Sequence, residues 1–234
     1  MDDSVKAIEY ISVFTFKPME NLSEKLEMLS AAIRETTKIS FISPANYFPI
    51  PPGIPVPNEI PRMTMETKEG SVKLHITAEQ LQIAISSTQI SSIIDFSSLI
   101  TKLSDCLINK FSFEIIRLGL ISRNYKLDPE PAKYIARNFL NSQNQDYSEC
   151  NIRLVERRKV KNLEYNYVYQ LDSSLINLKN ADTDDFQQHK AILITIDINS
   201  DQHNKEAISE DRIKTFVNES IEFLDSEFIE DKLS

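Results

Sequence analysis

The most distinctive side chains in the sequence lie in one predicted β-hairpin of the C-terminal half. Five cations crowd its first strand, and three tyrosines alternate along the facing strand, which places their rings on one side. The cations are Arg153, Arg157, Arg158, Lys159 and Lys161, and the tyrosines are Tyr165, Tyr167 and Tyr169. Arginine and tyrosine can grip phosphates and stack bases, but they also dominate the hot spots of protein interfaces. A nucleic-acid site, a protein interface and an ordinary exposed strand pair, whose edge charges block aggregation, are therefore three open interpretations.

A second candidate site is the segment Pro44–Pro61, which holds seven of the ten prolines in the chain. Proline fixes φ and removes an amide donor, so the segment is predicted to be an extended, polyproline-like loop. It also carries apolar side chains, among them Tyr47, Phe48, Ile54 and Val56. These side chains either pack on their own domain or dock in an aromatic groove of a partner protein.

Residues that could carry catalysis or hold a cofactor are scarce. The three glycines are too far apart in sequence for the loops that cradle phosphates. His75 alternates with apolar residues on a predicted strand, and we interpret it as a solvated or hydrogen-bonded strand histidine. Cys106 and Cys150 make neither a disulfide framework nor a zinc site, and we expect two reduced thiols. The sequence predicts no catalytic residue, no metal site and no cofactor.

Composition and charge favour an ordinary globular protein. The chain has 234 residues, of which 41% are hydrophobic and 26% charged, and a formal net charge of −9. An acidic protein repels the phosphate backbone unless its cations are segregated, and it suits a partner with a basic surface. The acidic N-terminus is unlike a signal peptide, and no apolar stretch is long enough to span a bilayer. We expect a cytoplasmic protein with no membrane partner.

The N-terminal half, residues 1–111, has a regular order of predicted elements. Leu22, Leu26, Leu29 and Ile33 recur at steps of three and four, which predicts an amphipathic helix. The predicted elements are a strand over 7–17, a helix over 21–38, hairpin strands over 62–67 and 72–77, a strand over 80–86 and a helix from 91 or 92 to 111.

The C-terminal half, residues 112–234, repeats this order. Ile192, Ile194, Ile196 and Ile198 give the clearest period-two strand in the chain. The polar, acidic segment 173–188 is predicted to be a loop. The predicted elements are a strand over 113–124, a helix over 131–140, hairpin strands over 150–159 and 163–171, a strand over 190–199 and a helix from 209 to about 232.

Both halves therefore read strand, helix, three strands, helix. This order predicts an α+β fold in which antiparallel sheets carry helices on one face. The halves share little identity, so the pattern is explained either by internal duplication or by coincidence of two ordinary α+β domains. A duplicated protein could join its two sheets into one large curved sheet.

Residues 115–124 read Ile-Ile-Arg-Leu-Gly-Leu-Ile-Ser-Arg-Asn. This strand resembles the Arg-Leu-Gly-Leu-Arg-Tyr-type strand of a sporadically distributed, uncharacterised bacterial protein family. The resemblance covers about residues 61–234, with Ser122 near the place of an expected aromatic residue. It implies no established activity and transfers no catalytic residue. Such families tend to lie in mobile or defence-associated loci, so the resemblance implies a partner role in a bacterial antiviral defence or toxin-control complex.

Three functions follow as hypotheses. The first is a non-enzymatic protein-binding module that uses the sheet face or the proline-rich segment, with another protein or a second copy as its partner. The second is a nucleic-acid-binding module that uses the cations and tyrosines of the C-terminal hairpin. The third is a small-ligand receptor or enzyme with a cavity between the sheet and a long helix.

Overall fold

The computed structural model describes residues 4–48, 57–140, 146–160, 163–179, 185–200 and 205–233. Within these ranges the chain forms one nine-stranded antiparallel sheet, in the order β2-β3-β4-β5-β1-β6-β9-β8-β7, with five α-helices packed on one face. The predicted α+β class is confirmed.

The strands are β1 (Lys6–Phe16), β2 (Asn46–Tyr47), β3 (Met63–Glu66), β4 (Val72–Ile76), β5 (Gln80–Ser86), β6 (Ile115–Leu127), β7 (Asn151–Val160), β8 (Leu163–Lys179) and β9 (Phe186–Ser200). The helices are α1 (Leu22–Thr37), α2 (Ile93–Asp105), α3 (Pro131–Leu140), α4 (Glu210–Ser220) and α5 (Ser226–Leu233). A π-helical turn extends α2 to Lys110, and a 3₁₀ turn, Ile221–Leu224, joins α4 to α5.

The sheet has one apolar and one polar side because side chains alternate along each strand. On β1, Tyr10, Phe14 and Phe16 face the helices and are buried in the core. We call this side the helix face and the opposite side the open face. The apolar stripe of α1 covers the helix face of the first half. The helix ends at its C-cap residue, Lys38, which adopts a left-handed conformation with φ 58°.

Apart from β2, the edge strand of the first half, the two halves of the chain have the same strand order. From the outside to the centre, the first half runs β3-β4-β5-β1 and the second runs β7-β8-β9-β6. Pairing of β1 with β6 joins the halves into one sheet, and a single hydrophobic core extends beneath both. Descent from a duplicated ancestor stays a prediction.

The predicted loop over residues 173–188 is wrong for the residues that the structure describes. β8 continues to Lys179 and β9 begins at Phe186, so the two strands extend as a hairpin beyond their neighbours β7 and β6. Side chains on both sides of this hairpin lie at or near the surface, including Leu175 and Phe186. A strand pair that buries neither side lacks the alternating apolar signature on which strand prediction depends.

Two further predictions needed correction. The single C-terminal helix is divided, because Asp225 adopts an extended conformation between the 3₁₀ turn and α5. The proline-rich segment contains a short strand, β2, which pairs with β3 at the edge of the sheet. An edge position tolerates neighbouring prolines because only one side of the strand must supply hydrogen bonds.

Candidate functional site

Strands β7 and β8 form the hairpin that carries the arginines and tyrosines, which we call the Arg/Tyr hairpin, and it forms one edge of the sheet. Within the described residues β7 pairs with β8 alone, so its outer backbone groups face no further strand. Register places Leu154, Glu156 and Arg158 opposite Tyr169, Tyr167 and Tyr165. Residues directly opposite one another in an antiparallel pair share a face. These six side chains therefore lie on the helix face.

Tyr165 and Tyr167 belong to the hydrophobic core and are 3% and 2% exposed. The ring of Tyr165 stacks on Phe216 of α4, with centroids 4.7 Å apart, and Tyr167 meets Phe223 edge-on at 5.1 Å. Burial raises the pKa of Tyr165 to about 12, because an apolar environment disfavours the phenolate. Neither ring offers a free face on which a base could stack, which removes the main physical basis of a stacking site here.

Arg158 closes the end of this aromatic row. Its guanidinium carbon lies 4.5 Å from the ring centroid of Tyr167 and 4.8 Å from that of Phe223. Its Nε and Nη2 atoms donate to the two carboxylate oxygens of Glu156 at 2.8 and 2.9 Å. This hydrogen-bonded pair raises the pKa of Arg158, so the guanidinium is a fixed positive group beside the aromatic rings.

The remaining cations of the hairpin point the other way. Arg153, Arg157 and Lys159 alternate with the residues above, so they lie on the open face, and all three are exposed. Their cross-strand neighbours are Gln170, Asn166 and Glu164. The predicted set of cations is thus divided between the two faces, and Lys161 lies outside the described residues.

An apolar groove of about 350 Å³ follows β7 on the helix face. Leu171, Ile194 and Ile196 contribute to its floor, and Phe139 of α3 and Phe228 of α5 contribute to its walls. Leu154, Glu156, Arg158 and Tyr169 border it on the hairpin side. We call this feature the β7 groove. Leu154 beside it is 52% exposed, so apolar surface continues from the groove onto the edge strand.

The open face next to the hairpin is polar and of mixed charge. Asn199 accepts from Arg117 Nη2 at 3.1 Å and donates to Asp197 Oδ1 at 3.0 Å. Farther along, Arg123 Nη1 contacts Glu9 Oε1 at 2.7 Å. Carboxylates therefore accompany these arginines. Of the exposed cations of β7, Lys159 lies opposite Glu164, while Arg153 and Arg157 lie opposite the neutral Gln170 and Asn166.

The proline-rich segment is described only in part. Tyr47 and Phe48 are partly exposed near β2, and the Tyr47 hydroxyl lies 2.9 Å from Ser30 Oγ on α1. This contact ties Tyr47 to its own domain. Ile54 and Val56 lie outside the described residues.

The sequence did not predict the groove, because its lining comes from α3, α5 and three strands. One local signal was present: Leu154 and Val155 are adjacent apolar residues amid the charges of β7. Adjacent residues of a strand face opposite sides, so at an edge at least one of them is poorly covered. Both are about half exposed.

No group of three or more His, Cys, Asp or Glu side chains in the part of the chain that the structure describes is arranged to hold a metal ion. No helix there is both long and apolar enough to cross a bilayer.

No protein-family model matches the chain, and no curated protein matches it. The resemblance of residues 61–234 to an uncharacterised bacterial family stays a prediction.

Proposed function

We propose that this protein is a non-enzymatic protein-binding module that takes up an extended segment of a partner along β7. One observation carries the proposal: an edge strand of ten residues lies directly beside an apolar groove. An added strand would hydrogen-bond to the outer backbone groups of β7, which supplies affinity with little dependence on sequence. The groove would supply the specificity.

The two faces of β7 define the chemistry of such a partner. Side chains of an added strand alternate between the faces. Those on the helix face would lie beside Leu154 and over the β7 groove, which favours apolar residues. Those on the open face would lie beside Arg153, Arg157 and Lys159, which favours Asp and Glu. The expected partner segment alternates apolar and acidic residues over about six positions.

A second copy of this chain is a less suitable occupant of the same edge. Two β7 strands placed side by side in antiparallel orientation would bring the cations of one copy near those of the other. Like charges opposite one another across a strand pair are unfavourable. We therefore expect the partner to be a different protein.

The biological setting is also part of the proposal. The resemblance to a sporadically distributed bacterial family suggests a cytoplasmic subunit or regulator of a defence or toxin-control complex. A recognition subunit in such a complex needs a specific surface and no reaction centre, which agrees with the scarcity of catalytic motifs.

One observation favours a small-ligand receptor as a second candidate. The volume of the β7 groove, about 350 Å³, falls at the lower end of typical ligand sites. Such a ligand would be apolar with a carboxylate directed at Arg158. The structural support for nucleic-acid binding is weaker than that for either of these functions, because two of the three tyrosines are buried and carboxylates share the open face.

Selection from a displayed library of random twelve-residue peptides tests the proposal. The expected result is enrichment of segments in which Leu, Ile, Val or Phe alternates with Asp or Glu. Synthetic copies are then titrated by fluorescence anisotropy, and inserting proline at the centre should abolish binding because it removes a ladder donor. Failure to enrich any segment, or enrichment of helical patterns, would contradict strand addition. Saturable binding of a medium-chain fatty acid, together with failure to select any peptide, would favour the receptor.

A further inference from the structure

A second cavity lies in the other half of the molecule, where β1 leads into α1. It measures about 380 Å³ and is lined by residues 18–24, together with Arg62 and Ala78. Residues 18–24 are the connection after β1 and the first turn of α1. We call this feature the α1 cavity.

Arg62 is the unusual residue of the α1 cavity. Its side chain lines the cavity, yet the residue is only 8% exposed. Its Nη1 atom is buried and has no hydrogen-bond partner, and none of the carboxylates in the described ranges forms an ion pair with it. A buried guanidinium without a counter-charge is unfavourable for folding, and an anion bound beside it would offset that cost.

The first turn of α1 adds positive potential at the same place. α1 has 16 residues, and the first amides of a helix have no partner within it. Asn21 at the N-cap makes no side-chain hydrogen bond to the turn. The amides of Leu22 and Glu24 donate to the carbonyls of Met19 and Asn21, at 3.3 and 3.2 Å, so the turn acts on the cavity mainly through its dipole. That dipole is equivalent to about half a positive charge at the helix N-terminus. The guanidinium and the helix end are two independent sources of positive potential that line one cavity.

We infer that the α1 cavity binds a small oxyanion, a carboxylate or a phosphate group, between Arg62 and the first turn of α1. The guanidinium offers paired donors that match either oxyanion, and helix N-termini bind both. Glu20 and Glu24 also line the cavity and oppose an anion there; both are exposed to solvent, where the high dielectric constant of water weakens their repulsion. This site lies far from β7 in the strand order and does not rest on the proposed function.

Titration with sodium phosphate or sodium acetate, at ionic strength held constant with sodium chloride, tests this inference. The readouts are the melting temperature and the backbone amide NMR shifts of residues 22–24. We expect saturable shifts of these amides and a higher melting temperature with at least one anion. The stronger anion tells whether a phosphate or a carboxylate is the natural group.

Three variants make the test specific. Arg62→Met removes the unpaired charge, so the melting temperature without anion should be unchanged or higher, while the effect of the anion disappears. Lys68→Met removes an exposed cation of the same half and should leave the anion effect intact. Glu24→Gln removes a repelling carboxylate and should tighten binding.

Two results would overturn the inference. One is the absence of saturable amide shifts with both anions in the unaltered protein. The other is equal anion affinity in the unaltered protein and Arg62→Met. If Arg62→Met does not fold, Arg62→Lys takes its place: it keeps the charge but loses the paired donors, and an affinity that is not at least about tenfold weaker would overturn the inference.

Discussion

Arg158 lies over the ring of Tyr167, with its guanidinium carbon 4.5 Å from the ring centroid. Tyr167 is a core residue and Arg158 is partly exposed, so this contact marks the border between the core and the edge of the sheet. Glu156 fixes the guanidinium from the same strand. Arg158 and Glu156 also line the β7 groove, so the groove begins at this border.

Substitution Leu154→Lys should abolish binding of the selected peptides without unfolding the protein. Leu154 is half exposed, so its loss costs little stability, within about 0.5 kcal/mol. A lysine at position 154 would place a charge where an apolar side chain of the bound peptide must pack. Peptide affinity and the free energy of unfolding in urea are the measurements.

Leu175→Lys is the matched control. Leu175 is also a strand leucine on the helix face and is 57% exposed, but it belongs to the extended part of β8, away from the groove. Equal losses of affinity in the two variants would mean that the groove has no special part in binding.

The double substitution Arg153→Glu and Arg157→Glu should weaken binding of acidic peptides and make binding less sensitive to salt. Both cations are exposed on the open face of β7, where they would meet Asp or Glu of an added strand. Exposed pairs are worth about 0.2–1 kcal/mol each, so charge reversal should cost roughly tenfold or more in affinity. Lys73→Glu, on the open face of β4, should have no such effect. Binding of RNA or DNA that this double variant abolishes, with peptide binding unaltered, would point to a nucleic-acid site instead.

Tyr165→Phe should preserve or raise stability at neutral pH and reduce the loss of stability in alkali. The Tyr165 hydroxyl is buried without a hydrogen-bond partner, so removing it loses no bond and relieves a desolvation cost of about 1 kcal/mol or more. Its pKa is about 12 in the folded protein, against 10.0 ordinarily. As pH rises between these values, the unfolded state loses the phenolic proton first, so stability falls.

Urea unfolding at pH 7 and across the alkaline range measures both effects. Tyr134→Phe is the control, because the Tyr134 hydroxyl donates to the carbonyl of Leu233, and its loss should cost about 1 kcal/mol. Burial also raises the pKa values of Tyr10, Tyr167 and Tyr169, so part of the alkaline dependence should persist in Tyr165→Phe. A variant as sensitive to alkali as the unaltered protein would show that Tyr165 does not titrate as described.

Asp105→Asn should leave the protein at least as stable at pH 7 and change its pH dependence in the acid range. Burial, and then the neighbouring Glu210, raise the pKa of Asp105 above 3.8, and Lys214, with Nζ 3.7 Å from Oδ1, only partly opposes this. The folded state therefore holds the proton more tightly, and this contribution to stability is lost as pH rises through the raised pKa.

Chemical unfolding from pH 3 to pH 7 provides the comparison. Glu35→Gln changes one partner of an exposed ion pair with Lys110 and should shift stability little at any pH. A marked loss of stability in Asp105→Asn at pH 7 would mean that its contact with Lys214 outweighs the cost of burying the carboxylate.

Period-two patterns predicted the strands wherever one side is buried. The four isoleucines of β9 from Ile192 to Ile198 are the clearest case, because all four lie in the core. The sequence also predicted that the three tyrosines share a side. It could not predict that this side meets α4. Which face of a sheet the helices cover depends on how the chain connects segments that are far apart in sequence.

The candidate sites were harder to predict, because they depend on contacts between distant segments. Phe139, Ile196 and Phe228 meet in the β7 groove from three different elements. Arg62 follows the proline-rich segment, and nothing local in the sequence indicates that it is buried or that it lines a cavity with residues 18–24. Register and tertiary packing, rather than residue type, create both sites.

Hydrogen exchange of the backbone amides, followed by NMR with and without a selected peptide, tests strand addition along β7 most directly. Alternate amides of Asn151–Val160 should exchange much more slowly in the complex, because those facing outward gain hydrogen bonds. Amides of β2, at the other edge of the sheet, should be unaffected. Tight peptide binding with no slowing of exchange at β7 would contradict strand addition.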